Sequence, residues 1–112
     1  MQITMLKSKV YGIKVTDADI ACDGSITIDS TLMQKACILP YEQVHVLDIA
    51  NAARFVTYAI VGEPGEMKVN GAAAKLVTIG DPLIILTYAG FDDILEYGKS
   101  GLPWKVDGRT IK

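Results

Sequence analysis

Short runs rich in Val, Ile and Thr, each stopped within a few residues by a turn-forming group, constrain this chain more than any other feature. The stops are Asp23-Gly24, Gly62-Glu63-Pro64-Gly65, Asn70-Gly71 and Gly80-Asp81-Pro82, where Gly opens conformations closed to other residues and Pro withholds a backbone donor. Between them, two-residue alternation and β-branching predict strands over Ile3–Val15, Ser25–Ile28, Val44–Ile49, Arg54–Val61 and Leu83–Tyr88. A brief strand ends at Val69-Asn70, and a last one spans Trp104–Val106. Val44–Ile49 and Arg54–Val61 flank Asn51-Ala52-Ala53 and read as a hairpin. Helix is confined to short pieces. Asp29 caps a segment with Leu32, Met33 and Ala36 at helical spacing before Pro40 ends it, and Ala72–Lys75 and Asp92–Tyr97 make about one turn each. Thr16–Asp19 reads as a polar connection, and the chain is expected to turn sharply at Gly24. Many short strands with one or two small helices predict a closed or nearly closed β-barrel.

A chain of 112 residues, half of them apolar, has enough material for one core, so a single domain over residues 1–112 is expected. Thirteen acidic against eleven basic residues give a net charge of −2. No Lys or Arg run could track a phosphate backbone, which argues against a nucleic-acid partner. Met1–Val10 holds no apolar segment of signal-peptide length, and the longest aliphatic run, Leu83–Leu86, is far short of the about 20 residues that span a bilayer. A cytoplasmic protein without membrane contact is expected. Cys22 and Cys37 are too few for a disulfide framework and read as reduced thiols, with Cys37 facing the core. His45, the only histidine, lacks a paired acid or metal-ligand spacing and reads as structural or exposed, so no metal site is expected.

Three segments carry more information together than apart: Gly24-Ser25-Ile26-Thr27-Ile28-Asp29, Arg54-Phe55-Val56-Thr57-Tyr58-Ala59-Ile60, and Val69-Asn70-Gly71-Ala72-Ala73-Ala74. With Met5-Leu6-Lys7-Ser8-Lys9 and Gly80-Asp81, their order and spacing resemble the pyruvoyl-dependent aspartate 1-decarboxylase family over about the first 90 residues. The chain departs from the family's usual residues at Tyr11, Ala21-Cys22, Leu47 and Ala52. The resemblance implies a small six-stranded double-psi β-barrel assembled as a homotetramer with active sites between subunits.

It also implies a chemistry. Decarboxylating an α-amino acid leaves electrons on Cα that no ordinary side chain accepts, so a cofactor carbonyl is needed. In the family the chain makes its own. The Ser25 hydroxyl attacks the Gly24 carbonyl, the amide becomes an ester, and elimination and hydrolysis leave a pyruvoyl group at residue 25, with fragments 1–24 and 25–112. Gly24 is expected to permit close approach in a strained turn, and Thr57 to stabilise the oxyanion of the acyl shift. L-aspartate then joins the pyruvoyl group as a Schiff base and loses carbon dioxide. Tyr58 protonates the product carbon, giving β-alanine for pantothenate synthesis. Arg54 and Lys9 are the expected carboxylate contacts, while Asn70, Gly71, Ala72 and Ala73 bring backbone close to the substrate.

Taken singly, each residue has an ordinary explanation. Gly24-Ser25 and Asn70-Gly71 are common turns, and Lys9 reads as a surface charge. Arg54 and Tyr58, four apart on a strand, share a face whether or not they share a site, whereas Thr57 faces the other way. A reading of a different class keeps the barrel and the assembly but leaves the chain uncut, as a binding or regulatory protein. A third takes another small amino acid as substrate, and cutting could also require a maturation factor.

Overall fold

A computed structural model describes residues 1–110. Eight strands follow in chain order: β1 (Ile3–Lys14), β2 (Asp17–Asp19), β3 (Ser25–Asp29), β4 (Gln43–Asp48), β5 (Arg54–Gly62), β6 (Met67–Asn70), β7 (Pro82–Phe91) and β8 (Trp104–Asp107). Two helices, α1 (Ser30–Ala36) and α2 (Ile94–Lys99), and 3₁₀ segments at Gly71–Leu76 and Gly108–Thr110 complete them. No helix among the described residues is long and apolar enough to cross a membrane.

The strands lie in the order β2-β6-β3-β5-β4-β7-β1-β8. The expected six strands occupy the interior of that order, and the short β2 and β8 extend it at its two edges. β2 falls on Asp17–Asp19, where the sequence predicted only a polar connection, because it pairs parallel with β6, about fifty residues away. No ladder joins the first interior strand to the last, so the sheet stays open. The gap is bridged just beyond β1, where the Thr16 backbone N–H donates to the Met67 carbonyl at 2.9 Å and the Thr16 hydroxyl accepts from the Met67 N–H at 2.9 Å. The predicted hairpin is present as the antiparallel β4–β5 pair, with Val44 opposite Thr57.

β3 sits deepest. It runs parallel to β5 and antiparallel to β6, and all five of its residues are buried. Ile26 and Ile28 point into the core with Val10, Val44, Val46, Met67, Val69, Leu83 and Ile85, while Ser25, Thr27 and Asp29 occupy the opposite face. Asp29 ends the strand and starts α1: its Oδ1 accepts from the Leu32 N–H at 2.9 Å, the expected cap. Its Oδ2 accepts from the Gly65 N–H, which ties the turn after β5 to the same carboxylate.

Two local expectations are corrected. Cys37 is exposed, not core-facing, because it terminates α1 in a left-handed conformation (φ 53°) that swings its side chain off the buried face of Leu32, Met33 and Ala36. The chain does bend at Gly24, as expected, and a hydrogen-bonded turn precedes that bend, closing between the Asp19 carbonyl and the Cys22 N–H at 3.4 Å, but the glycine is not strained. Gly24 lies outside the left-handed region, and a side-chain carbon there would meet nothing within 4 Å. It is neither the strained nor the crowded glycine of the loop.

Candidate active site

Alternation along three neighbouring strands builds one polar groove. β3 contributes Ser25 and Thr27, β6 contributes Lys68 and Asn70, and β5 contributes Tyr58 and Ile60. Register sets Ser25 against Asn70 and Thr27 against Lys68. The groove holds about 350 Å³, and Cys22, Asp23, Tyr41 and Glu66 complete its walls. That space is wide enough to admit a small molecule.

Ser25 is buried, with 4% of its surface exposed. Its Oγ accepts a hydrogen bond from Asn70 Nδ2 at 3.0 Å, and the same nitrogen donates to Thr27 Oγ1 at 3.1 Å. The Ser25 hydroxyl points its proton toward the Asp23 carbonyl, a long contact of 3.4 Å. The close approach in this region belongs to Gly71. With φ +78°, it lies so near the loop that an added carbon would sit 2.6 Å from Gly24 Cα, 2.8 Å from Gly24 N and 3.2 Å from the Cys22 carbonyl. Only glycine fits that position, for reasons of both conformation and space. The Gly24-Ser25 bond thus runs close along the Asn70-Gly71 corner, in space that the missing side chain of Gly71 leaves open.

The remaining predicted residues are distributed unequally. Tyr58 is on the groove wall, 37% exposed, with Tyr41 beside it at a ring separation of 6.2 Å. Its hydroxyl has no hydrogen-bond partner among the described residues. Ala72 and Ala73 follow Gly71 within the 3₁₀ segment that Gly71 opens. Thr57 does not line the groove; the strand period turns it to the face shared by Phe55 and Ala59. Arg54 shares the face of Tyr58 but lies about 13 Å away along β5, at its exposed beginning. Lys9 lines a different recess, with Tyr11, Lys105, Val106, Asp107 and Arg109. There Tyr11 packs beneath two cations, Lys9 Nζ 5.9 Å and Arg109 Cζ 5.5 Å from its ring centre.

Sequence reasoning missed Thr27, Tyr41 and Lys68. For Thr27 and Lys68 the signal was present: Ser25-Ile26-Thr27-Ile28 and Met67-Lys68-Val69-Asn70 both alternate polar with apolar residues. Tyr41 gave none, since it reaches the groove through a left-handed backbone (φ 68°).

Charge in the groove is acidic. Lys68 is the cation on its walls, and it already faces Asp19 at 3.8 Å and Asp17 at 4.0 Å. Asp19 also accepts from the Cys22 thiol at 3.0 Å. That thiol, the Ala21 backbone N–H and Lys68 hold the Asp19 carboxyl below its ordinary value, and the same carboxylate pushes the Cys22 thiol up. Cys22 therefore stays protonated and does not compete with Ser25 as a nucleophile.

A small, mainly β barrel that buries a serine at the end of an exposed glycine loop, above a polar groove, defines the class: a compact β-barrel enzyme with one polar groove at the head of its deepest strand. The sequence profile of the aspartate decarboxylase family matches residues 1–99, and the chain belongs to that family. Proteins named aspartate 1-decarboxylase from Thermoanaerobacter pseudethanolicus and Syntrophobacter fumaroxidans are 55% and 52% identical to it over 95 residues. These alignments span 83% of this chain and 81% and 77% of the relatives. One from Lactiplantibacillus plantarum is 45% identical over 108 residues, 95% of this chain and 82% of its own.

Proposed function

We propose that this chain cuts itself between Gly24 and Ser25 and decarboxylates L-aspartate to β-alanine. One observation carries the reading: a buried serine hydroxyl, fixed by Asn70 at 3.0 Å, directly follows a glycine whose backbone lies close against that of Gly71. The residues present suit an internal pyruvoyl group. Ser25 is enclosed, its neighbour Gly24 is on an exposed segment free to separate after cutting, and no competing thiolate is nearby.

In the cutting step, Ser25 Oγ adds to the Gly24 carbonyl carbon and the bond to the Ser25 nitrogen breaks, so the amide becomes an ester. Asn70 orients the nucleophile. The family resemblance assigns the accompanying oxyanion to Thr57. The pyruvoyl group that results supplies a ketone able to draw off the electrons released as carbon dioxide departs. Tyr58 lines the groove with its hydroxyl unengaged, which supports its reading as the group that delivers a proton to the product carbon.

The substrate's two carboxylates need cations that the groove of one chain does not offer, since Lys68 is already beside two aspartates. Lys9 and Arg54 have no carboxylate partner among the described residues and lie outside the groove. A second copy that set its Lys9 and Arg54 over this Ser25 would complete the site, which is the reason to expect a homo-oligomer with shared sites, in the family a tetramer.

Intact mass of the purified chain tests the reading. Two fragments, 1–24 and 25–112, with the longer blocked by a ketoacyl group, are expected, and Ser25→Ala should remain one folded chain. A parent that stays whole after prolonged warming, with or without cell extract to supply a maturation factor, would refute it.

A further inference from the structure

A carboxamide has two N–H donors and one acceptor oxygen. Asn70, 4% exposed, spends both donors in the groove, one on Ser25 Oγ and one on Thr27 Oγ1, while its Oδ1 is buried without a donor. Turning the amide over would let both hydroxyls donate to Oδ1, but it would take the Ser25 proton from the Asp23 carbonyl and withdraw both N–H groups from the hydroxyl acceptors they now have. An orphaned N–H is the rarer and costlier defect. Thr27 decides this balance. Without its hydroxyl, one N–H goes unpaired in the present orientation while the turned amide still accepts from Ser25, so the margin that holds the N–H on Ser25 Oγ narrows.

The Thr27 rotamer is itself fixed. Its Cγ2 methyl occupies the space where Gly62 has no side chain; a carbon on Gly62 would lie 2.8 Å from it. A β-branched residue has few alternatives at χ1, so a methyl seated over Gly62 leaves the hydroxyl facing Asn70.

The geometry points to Thr27 as a positioning residue for self-cleavage, one that holds the Asn70 N–H on Ser25 Oγ; the assignment rests on Ser25 being the residue that cuts. After the acyl shift, Oγ is the ester oxygen between Ser25 Cβ and the Gly24 carbonyl. In the elimination, a groove water takes the Ser25 Cα proton and the C–H electrons form the Cα=Cβ bond. The Cβ–Oγ bond breaks with its pair on oxygen, which leaves as the Gly24 carboxylate. An N–H donated to Oγ stabilises that charge as it forms, whereas a turned amide presents a carbonyl oxygen that opposes it.

The test compares Thr27→Val, which keeps the shape and removes the hydroxyl, with Thr27→Ser, which restores the hydroxyl. In Thr27→Val, cleavage should slow about tenfold, and the uncut chain should become cleavable by hydroxylamine at residue 24, the signature of an accumulated ester. Thr27→Ser should cut within about threefold of the parent rate, an expectation from the same hydrogen-bond magnitude. Parent-like cutting by Thr27→Val, slow cutting without a hydroxylamine-sensitive ester, or a Thr27→Ser as slow as Thr27→Val would overturn the assignment. Should the parent itself never cut, the reading of Ser25 fails, and Thr27 is judged from side-chain amide exchange by ¹⁵N NMR on the uncut chain. Two slowly exchanging Asn70 protons, one of them becoming fast in Thr27→Val, support the positioning role; two fast ones in the parent, or no change in the variant, overturn it.

Discussion

Gly71→Ala is the substitution that most directly examines how the cleavage bond is held. The added carbon would stand 2.6 Å from Gly24 Cα, whereas carbon atoms in contact stand about 3.5–4.0 Å apart, so something must retreat by about 1 Å. Alanine at φ +78° adds about 1–2 kcal/mol of backbone strain, and overpacking against a rigid wall would add about 1–3 kcal/mol more. The wall here is not rigid, because Ala21, Cys22, Asp23 and Gly24 are exposed and can shift without opening the core. The expected loss of stability is therefore near the backbone term alone, about 2 kcal/mol, or about 8 °C in Tm for a domain of this size. The cleavage bond bears the displacement, and an error of about 1 Å at a reacting centre costs about a hundredfold in rate. Intact mass followed over time, beside thermal unfolding by circular dichroism, measures both. Gly24→Ala is the control: with nothing within 4 Å of its added carbon, it should change stability by less than about 0.5 kcal/mol. A folded Gly71→Ala that cut at close to the parent rate, or a Gly24→Ala destabilised more than Gly71→Ala, would refute this account of the loop.

Tyr58→Phe should cut normally yet lose β-alanine formation by at least about a hundredfold, the scale of a missing general acid, measured as carbon dioxide release from the processed protein. Co-expressing Ser25→Ala with Arg54→Ala chains should recover part of the activity that each lacks alone, because a hybrid assembly contains sites with both intact residues; mixtures as inactive as the single variants would place Arg54 and Ser25 in one chain's site. Asp48 is 1% exposed, and its Oδ2 is buried without a donor. Burial and the neighbouring Asp81 push its carboxyl up, while Asp48 beside it holds Asp81 below its ordinary value. The folded chain thus binds the Asp48 proton more tightly than the unfolded chain does, and Asp48's contribution declines as pH rises from the ordinary carboxylate value through the raised one. Asp48→Asn, which supplies a permanent donor, should gain about 1 kcal/mol at pH 7 and less at pH 4 in urea titrations; a variant weaker at both would refute the raised Asp48 carboxyl. Ala52 has φ 63° in the β4–β5 turn, so Ala52→Gly should raise stability by about 0.5–1 kcal/mol, seen as a higher urea midpoint at unchanged slope.

Much of the framework was legible because its determinants are local. β-Branching and two-residue alternation located the interior strands, Asp29 declared the start of α1, and Pro40 its limit. Three spaced segments carried the family. Edge strands were harder: Asp17–Asp19 has no strand signal of its own and exists because β6 lies beside it. The end of α1 misled in the same way, since a left-handed cap at Cys37 depends on how the chain leaves the helix, not on the hydrophobicity of the thiol.

Gly24 and Ser25 show where sequence and tertiary structure divide. The sequence by itself determined that a serine follows a glycine at the head of an apolar strand, and that Asn70-Gly71 ends another. Only the fold set those two places together, 45 positions apart in register, moved the steric demand from Gly24 to Gly71, and made Thr27 the second acceptor of the Asn70 amide. It also took Lys9, Arg54 and Thr57 out of the groove that their shared motifs suggested. The physical reason is that alternation fixes which face a side chain takes, whereas the strand that stands opposite it is chosen by pairing across the whole chain.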